Sequence, residues 1–181
     1  MRELSVIPIV DAANIQTSVN SIDRVDLESL FSLHYARVAR TIALVIGDRG
    51  RAEELAVEVF LRWDQSESGK GPNLEGWLYK TAANLAISEL RKQTRRARFD
   101  RLVRWIRQPA TPEEIHSANQ ERDRVRVVLS MMQPRQSELL VLRTQGFSYE
   151  ELASALGLNP ASIGTLLNRA QQIFRKEYVA R

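Results

Sequence analysis

Apolar residues recur every three or four positions along most of the chain, which is the spacing of helices with one buried side. The pattern predicts one helix over 26–47, a second over 52–63 and a third, long helix over 77–92 that runs into a group of arginines. A run rich in Ser, Gly and Pro separates the second helix from the third. No segment alternates apolar and polar residues as a half-buried strand does, so we predict an all-α fold.

The segment 148–170 predicts two short helices joined by a tight turn, the outline of a helix-turn-helix. Ser148 and Glu151 have the spacing of a capping box, and Gly157 stands where the chain must turn. Pro160 fits the first position of the second helix. An ordinary helical hairpin uses the same signals, so the segment alone does not decide the function. The polar side of the second helix carries groups that can reach bases and phosphates in a major groove: Thr165, Asn168, Arg169 and Gln172.

The order of these elements predicts two small helical domains joined by a flexible basic linker. We predict an N-terminal tail over 1–22, a first domain over 23–93, a linker over 94–112, and a second domain over 113–181 that contains the helix-turn-helix. The linker begins with an arginine-rich stretch and ends with prolines, which break helices. At 181 residues, the chain is long enough to form a core without disulfides or metals.

Composition narrows the classes of function. The chain has 26 Lys and Arg against 22 Asp and Glu, a net charge of +4 that favours a polyanionic partner. It has no cysteine, and His34 and His116 cannot hold a metal by themselves, so we expect no metal and no cofactor. The longest aliphatic run, 42–46, is far too short to span a membrane, and the N-terminus does not read as a signal peptide. We therefore expect a cytoplasmic protein with no membrane insertion.

The pattern gives little support to an enzyme. The pair Gly69 and Lys70 lacks the earlier glycine and the following Ser or Thr of a phosphate-binding loop. The carboxylates are scattered over predicted solvent faces instead of forming a catalytic pair. We expect no catalytic residues and no small-molecule substrate.

Three ordered segments, 51–63, 76–92 and 134–170, together resemble the extracytoplasmic-function (ECF) sigma factors of bacterial RNA polymerase. The resemblance covers both predicted domains and leaves the tail and the linker outside. It implies an alternative sigma factor that binds core RNA polymerase and directs promoter recognition, DNA melting and transcription initiation. The implied partners are core RNA polymerase, promoter DNA and an anti-sigma factor. The alternative is a sigma-like regulatory protein that binds polymerase or DNA without specifying promoters.

In the first domain, the resemblance implies that the acidic second helix docks on the largest polymerase subunit. A solvated charged face is the alternative interpretation of its glutamates. Val57 stands where the family usually has glutamine. The implied polymerase-binding residues are Glu53, Glu54, Leu55, Glu58 and Phe60.

The third helix is implied to open the minus-ten promoter element and to hold the separated strand. That task needs cations for phosphates and planar groups for bases. For Trp77 we favour core packing over stacking, and Ser88 stands where the family usually has aspartate. The implied minus-ten residues are Trp77, Tyr79, Lys80, Asn84, Arg91 and Lys92.

The helix-turn-helix is implied to read the minus-thirty-five element. Gly164 and Leu166 occupy two positions of the reading helix that are commonly basic in the family, and this departure motivates the sigma-like alternative. The implied minus-thirty-five residues are Arg143, Tyr149, Ser162, Thr165, Asn168 and Arg169. The basic stretch 95–108 stays open among a polymerase-channel segment, an extension of the third helix, a surface for an inhibitor and a solvated linker.

Overall fold

The computed structural model of the protein describes residues 26–66, 71–107 and 120–180. These residues form helices and no strand, which confirms the all-α prediction. The helices are α1 (Leu27–Ile46), α2 (Arg49–Asp64), α3 (Leu74–Arg107), α4 (Gln120–Met131), α5 (Pro134–Thr144), α6 (Tyr149–Leu156) and α7 (Pro160–Val179). The predicted tail 1–22, the pair Gly69 and Lys70, and His116 lie outside the described residues.

Local signals in the sequence set the ends of the helices around the turn of the second domain. The Ser148 side chain accepts a hydrogen bond from the Glu151 backbone, and the Glu151 side chain accepts one from the Ser148 backbone, so the predicted capping box is present. Gly157 ends α6 in the left-handed conformation with φ 64°, which glycine adopts without a steric cost. The Asn159 side chain then accepts from the Ala161 backbone and starts α7. The helix-turn-helix predicted over 148–170 is therefore confirmed.

The first helical unit packs α1, α2 and the first half of α3 around apolar side chains. Phe60 is 2% exposed, and its ring centroid lies 4.9 Å from that of Phe31. Burial of these side chains removes apolar surface from water and is the main stabilising contribution. The other buried members of this group include Val38, Ile42, Leu55, Val59, Trp63, Leu78 and Leu90.

The second helical unit packs α4 to α7 around a core of its own and also lies directly against α3. Its buried members include Leu139, Leu142, Leu152, Leu156, Ile163 and Leu167. Helices α5 and α6 contact α3, and the buried side chains of the two units form one continuous apolar cluster. The two units therefore meet through a buried apolar interface, which the sequence analysis does not predict.

Helix α3 extends beyond the predicted end of the first domain. It runs without a break to Arg107, so the part of the predicted linker over 94–107 is helical. The reason is composition, because no glycine or proline occurs between Gly76 and Pro109, and arginine, alanine and leucine favour helices. Of the open interpretations of 95–108, extension of the third helix describes the stretch as far as Arg107.

Candidate functional site

The glutamates of α2 form a surface in which each carboxylate is paired with an arginine of the same helix. Glu53, Glu54 and Glu58 pair with Arg49, Arg51 and Arg62 at 3.1, 2.6 and 2.6 Å. Exposed pairs of this kind contribute about 0–1 kcal/mol each. The pairs are therefore weak enough for the glutamates to exchange partners with a cationic surface.

Two residues predicted to bind polymerase do not lie on this surface. Leu55 and Phe60 are buried in the first core, so in this arrangement their side chains do not offer a surface to a partner. The apolar side chains that α2 does expose are Val57 and Leu61, and Leu61 is 54% exposed. Together with Leu27, they border a surface depression beside the start of α1. We call Leu27, Val57 and Leu61 the α2 patch.

Sequence analysis missed the α2 patch, although a signal was present. Val57 and Leu61 are four residues apart, and Glu54 and Glu58 sit next to them on the same side of the helix. An apolar centre with a polar rim is the usual anatomy of an interface. The helical period leaves both residues off the buried side of α2, but Val57 was considered only as a departure from the family's usual glutamine.

Tyr79, predicted to offer a ring to DNA, is fully buried. Its ring meets that of Phe147 edge to face at a centroid distance of 5.3 Å, and the Arg37 guanidinium lies 4.8 Å from the ring centroid. Its hydroxyl has no hydrogen-bond partner among the described residues. Burial raises the pKa of Tyr79, and the Arg37 charge opposes this. In this arrangement the ring of Tyr79 is not accessible to a base.

The remaining predicted minus-ten residues differ in exposure. Trp77 is half-buried against the core, in line with the packing interpretation. Lys80 and Asn84 are half-buried, whereas Lys92 is exposed. Arg91 donates a hydrogen bond to the Met132 carbonyl at the end of α4.

A buried carboxylate of α5 faces this part of α3. Glu138 is only 8% exposed. Burial raises the pKa of Glu138, and the charges of Arg135, Lys80 and Arg91 oppose this. Two cations predicted to meet DNA phosphates, Lys80 and Arg91, thus lie close to an acidic group of the second domain.

The predicted reading surface of α7 is exposed as a unit. Gly164, Thr165, Asn168 and Arg169 line one surface depression together with Gln172. Ser162 is exposed one turn earlier on α7. This is the arrangement that a recognition helix needs in order to present short polar groups to a groove.

Arg143 and Tyr149 lie beside this depression, at the turn before α6. The Arg143 guanidinium donates to the Phe147 carbonyl at 2.7 Å and lies 5.6 Å from the centroid of the Tyr149 ring. Tyr149 is 47% exposed. Part of Arg143 is therefore occupied in holding the turn, while Tyr149 remains accessible.

Gly164 can be replaced without disturbing its surroundings. A Cβ at this position would lie 3.5 Å from the Tyr149 ring, an ordinary contact, and the residue is inside α7. We expect Gly164→Ala to raise the free energy of unfolding by about 0.5–1 kcal/mol, because glycine loses more backbone freedom in a helix. Urea unfolding followed by circular dichroism measures it.

The matched control for this substitution is Gly157→Ala. Gly157 has φ 64°, where a side chain is strained, so alanine should lower the free energy of unfolding by about 1 kcal/mol. A loss of stability in Gly164→Ala would mean that the glycine has a packing role in α7.

Neither a metal centre nor a membrane span is present in the part of the chain that the structure covers. Within 26–66, 71–107 and 120–180, no group of three or more His, Asp and Glu side chains could hold a metal ion. No helix among these residues is long and apolar enough to cross a membrane.

Comparison with protein families matches both helical units. The Sigma-70 region 2 family matches residues 30–96, which contain most of α1, all of α2 and the first part of α3. The Sigma-70 region 4 family matches residues 122–172, from α4 into α7. The two regions occur in this order along the chain and leave 97–121 between them.

Individual relatives agree with the family matches. The chain is 30% identical over 128 residues to the ECF RNA polymerase sigma factor EcfG of Rhodopseudomonas palustris, covering 69% of this chain and 70% of the relative. It is 28% identical over 179 residues to the ECF RNA polymerase sigma factor SigE of Mycolicibacterium smegmatis, covering 96% of this chain and 67% of the relative. For other curated relatives the chain spans 53% of their length.

A solved structure is also similar. It is the co-crystal structure of the sigma factor RpoE in complex with the anti-sigma factor NepR from Bartonella quintana, with a TM-score of 0.49 and 22% identity. The similarity covers 84% of this chain and 96% of that chain.

Proposed function

Because the chain belongs to the ECF family of RNA polymerase sigma factors, we propose that it acts as an alternative sigma factor. It binds core RNA polymerase, directs it to a restricted set of promoters and helps to melt the DNA. The observation that carries the proposal is the exposed polar surface of α7 inside the region 4 match. The chain contributes binding and performs no bond chemistry, since sigma factors are non-catalytic regulators.

The surface that we assign to core polymerase is the exposed side of α2. It combines the α2 patch with Glu54 and Glu58, so apolar contact and charge are adjacent. A patch of this kind gives affinity through Val57 and Leu61, while the glutamates steer association with a basic partner surface. This assignment replaces Leu55 and Phe60 as direct polymerase contacts.

The surface that we assign to the minus-thirty-five element is the α7 depression. Arg169 supplies its positive charge, and Thr165 and Asn168 supply hydrogen bonds to base edges. Tyr149 adds an accessible ring at its border. With Gly164 and Leu166 in place of the common basic residues, the surface makes fewer phosphate contacts, so its affinity falls less steeply with salt than that of a more basic reader.

The face of α3 that carries Lys80, Asn84, Arg91 and Lys92 is assigned to the separated minus-ten strand. Unstacking a base costs about a few kcal/mol in general. Contacts of these groups with phosphates offset that cost. The assignment requires that α5 and α6 move away from α3, because they cover part of this face.

We also propose an anti-sigma factor as a regulatory partner and the cytoplasm as the location. The resemblance to ECF sigma factors implies an anti-sigma partner, and core RNA polymerase, the partner proposed above, works in the cytoplasm. Calorimetry of the full chain with purified candidate anti-sigma factors tests the first proposal, and absence of binding to all of them would contradict it.

Run-off transcription tests the proposed function. Purified core RNA polymerase is incubated with fragmented genomic DNA, with and without the chain, and the start sites are mapped. We expect discrete new start sites that share upstream sequence elements. Core binding without any new start site would instead support the sigma-like regulator that Gly164 and Leu166 suggest. Absence of core binding would contradict both.

A further inference from the structure

The second domain lies on the same face of α3 that we assign to the minus-ten strand. Helices α5 and α6 pack along this face, and the apolar cluster continues across the interface. DNA and the second domain therefore cannot occupy the face at the same time. The assignment of this face to DNA rests on the proposed function. The packing of the second domain on α3 does not depend on that assignment.

The charges in the interface are complementary. The Glu138 carboxylate of α5 is buried and lies near enough to Lys80 and Arg91 for their charges to act on it. Both cations are predicted to meet phosphates. A carboxylate on α5 thus stands where the DNA backbone would supply negative charge.

A ring contact in the interface also occupies a place that the family resemblance assigns to DNA. The Phe147 ring, from the turn before α6, covers the ring of Tyr79 on α3 at 5.3 Å. A base could occupy the same ring by stacking on its face, whereas Phe147 meets it edge to face. The Tyr79 hydroxyl has no partner among the described residues, so covering it leaves a polar group unsatisfied. The closed contact is therefore weaker than its buried area alone would indicate.

Polar contacts at the rim hold the two units in register. The Asn73 side-chain amide donates to the Ser154 hydroxyl at 2.7 Å. The Thr41 hydroxyl lies 3.0 Å from the Gln145 side-chain oxygen, and Arg37 donates to the Gln145 carbonyl at 3.3 Å. These contacts connect α1 and the start of α3 to the second domain at several separate points.

We propose that the second domain is an internal competitor for promoter DNA. In the free chain it covers the minus-ten face of α3, with Glu138 in place of a phosphate and Phe147 in place of a base. Core polymerase and DNA displace it, and the same cations then serve the nucleic acid. The chain is thereby kept from binding single-stranded DNA before it meets polymerase.

Cross-linking of the full chain tests the closed arrangement. The chain has no cysteine, so Asn73→Cys with Ser154→Cys creates one pair of thiols across the interface. The control pair is Ser88→Cys with Ser154→Cys, because Ser88 is exposed and lies roughly 20 Å farther along α3 at the helical rise per residue. Both pairs are treated with a short, cleavable bismaleimide.

We expect the first pair to cross-link at least about tenfold faster than the control pair, because closure raises the local concentration of one thiol at the other. Equal rates would overturn the closed arrangement. Cross-linked chain is then added to core polymerase and a fragment on which the parent chain initiates. We expect about tenfold fewer transcripts than after the linker is cleaved. Equal transcript levels would overturn the competition.

The proposed function and the closed arrangement of the free chain can fail separately. If the parent chain gives no transcript on any fragment, the proposed function fails and the competition with promoter DNA fails with it. The cross-linking rates still decide on closure, because that comparison needs neither polymerase nor DNA.

A charge substitution tests the part assigned to Glu138. In the first cysteine pair, Glu138→Lys places a like charge against Lys80 and Arg91 and is expected to slow cross-linking by at least about threefold. Glu150→Lys makes the same change in net charge at an exposed position of α6 and should leave the rate unchanged. The exchange Glu138→Lys with Lys80→Glu should recover part of the rate, which distinguishes a charge contact from loss of folding. Equal rates in all variants would remove Glu138 from the proposal.

Discussion

Phe60→Ala is expected to lower the free energy of unfolding by about 3–5 kcal/mol, the range for truncating a buried phenylalanine. Phe60 is 2% exposed, and its ring lies against Phe31 and Tyr35 at centroid distances of 4.9 and 6.5 Å. Alanine would leave a cavity between α1 and α2 that these rings fill only in part. Guanidinium unfolding of the full chain, followed by circular dichroism at low temperature, measures the change.

Leu61→Ala is the matched control for Phe60→Ala. Leu61 is the next residue of α2 and is 54% exposed, so its truncation should change stability by less than about 0.5 kcal/mol. It should nevertheless weaken binding to core polymerase, because Leu61 belongs to the α2 patch. If Phe60→Ala kept full stability and lost polymerase binding instead, Phe60 would be the direct contact after all.

Arg169→Ala is expected to weaken binding of the holoenzyme to its promoter by about 1–3 kcal/mol, roughly fivefold to 150-fold. Arg169 is exposed in the α7 depression between groups that can reach base edges. If the guanidinium contacts a base, the loss of affinity depends on the DNA sequence. If it contacts a phosphate, the loss is the same on every sequence, and the slope of log affinity against log salt concentration is reduced by about 1. Filter binding on promoter and unrelated fragments at several salt concentrations separates the two.

Arg175→Ala serves as the control for Arg169→Ala. Arg175 is an exposed arginine of the same helix, but it borders a different depression, formed with Leu44 and Phe174. The two variants change net charge equally. Equal losses in both would show that α7 attracts DNA through overall charge, and the assignment of the reading surface would fail.

The features that the sequence predicted are those fixed by neighbouring residues. Ser148 and Glu151 form their two hydrogen bonds within one turn of helix, and Gly157 takes a conformation that few other residues tolerate. The apolar period placed Phe60 on the inner side of its helix. Its prediction as a polymerase contact came from the family resemblance, which contains no information on whether the side chain is buried in the free chain, as it is here.

The features that the sequence could not predict depend on contacts between distant parts of the chain. Tyr79 is buried because Phe147, far away in sequence, covers it. Neither an apolar period nor a capping signal contains information about which two helices meet.

The side-chain amide of Asn73 makes two hydrogen bonds, one through its oxygen and one through its nitrogen. Its oxygen accepts from the Gly76 backbone at 3.0 Å and fixes the start of α3, while its nitrogen donates to Ser154 at 2.7 Å. Departure of the second domain removes only the second bond, so the first turn of α3 stays wound. The surface released for DNA is then preorganised, and a strand that arrives does not have to supply the entropy of ordering a helix.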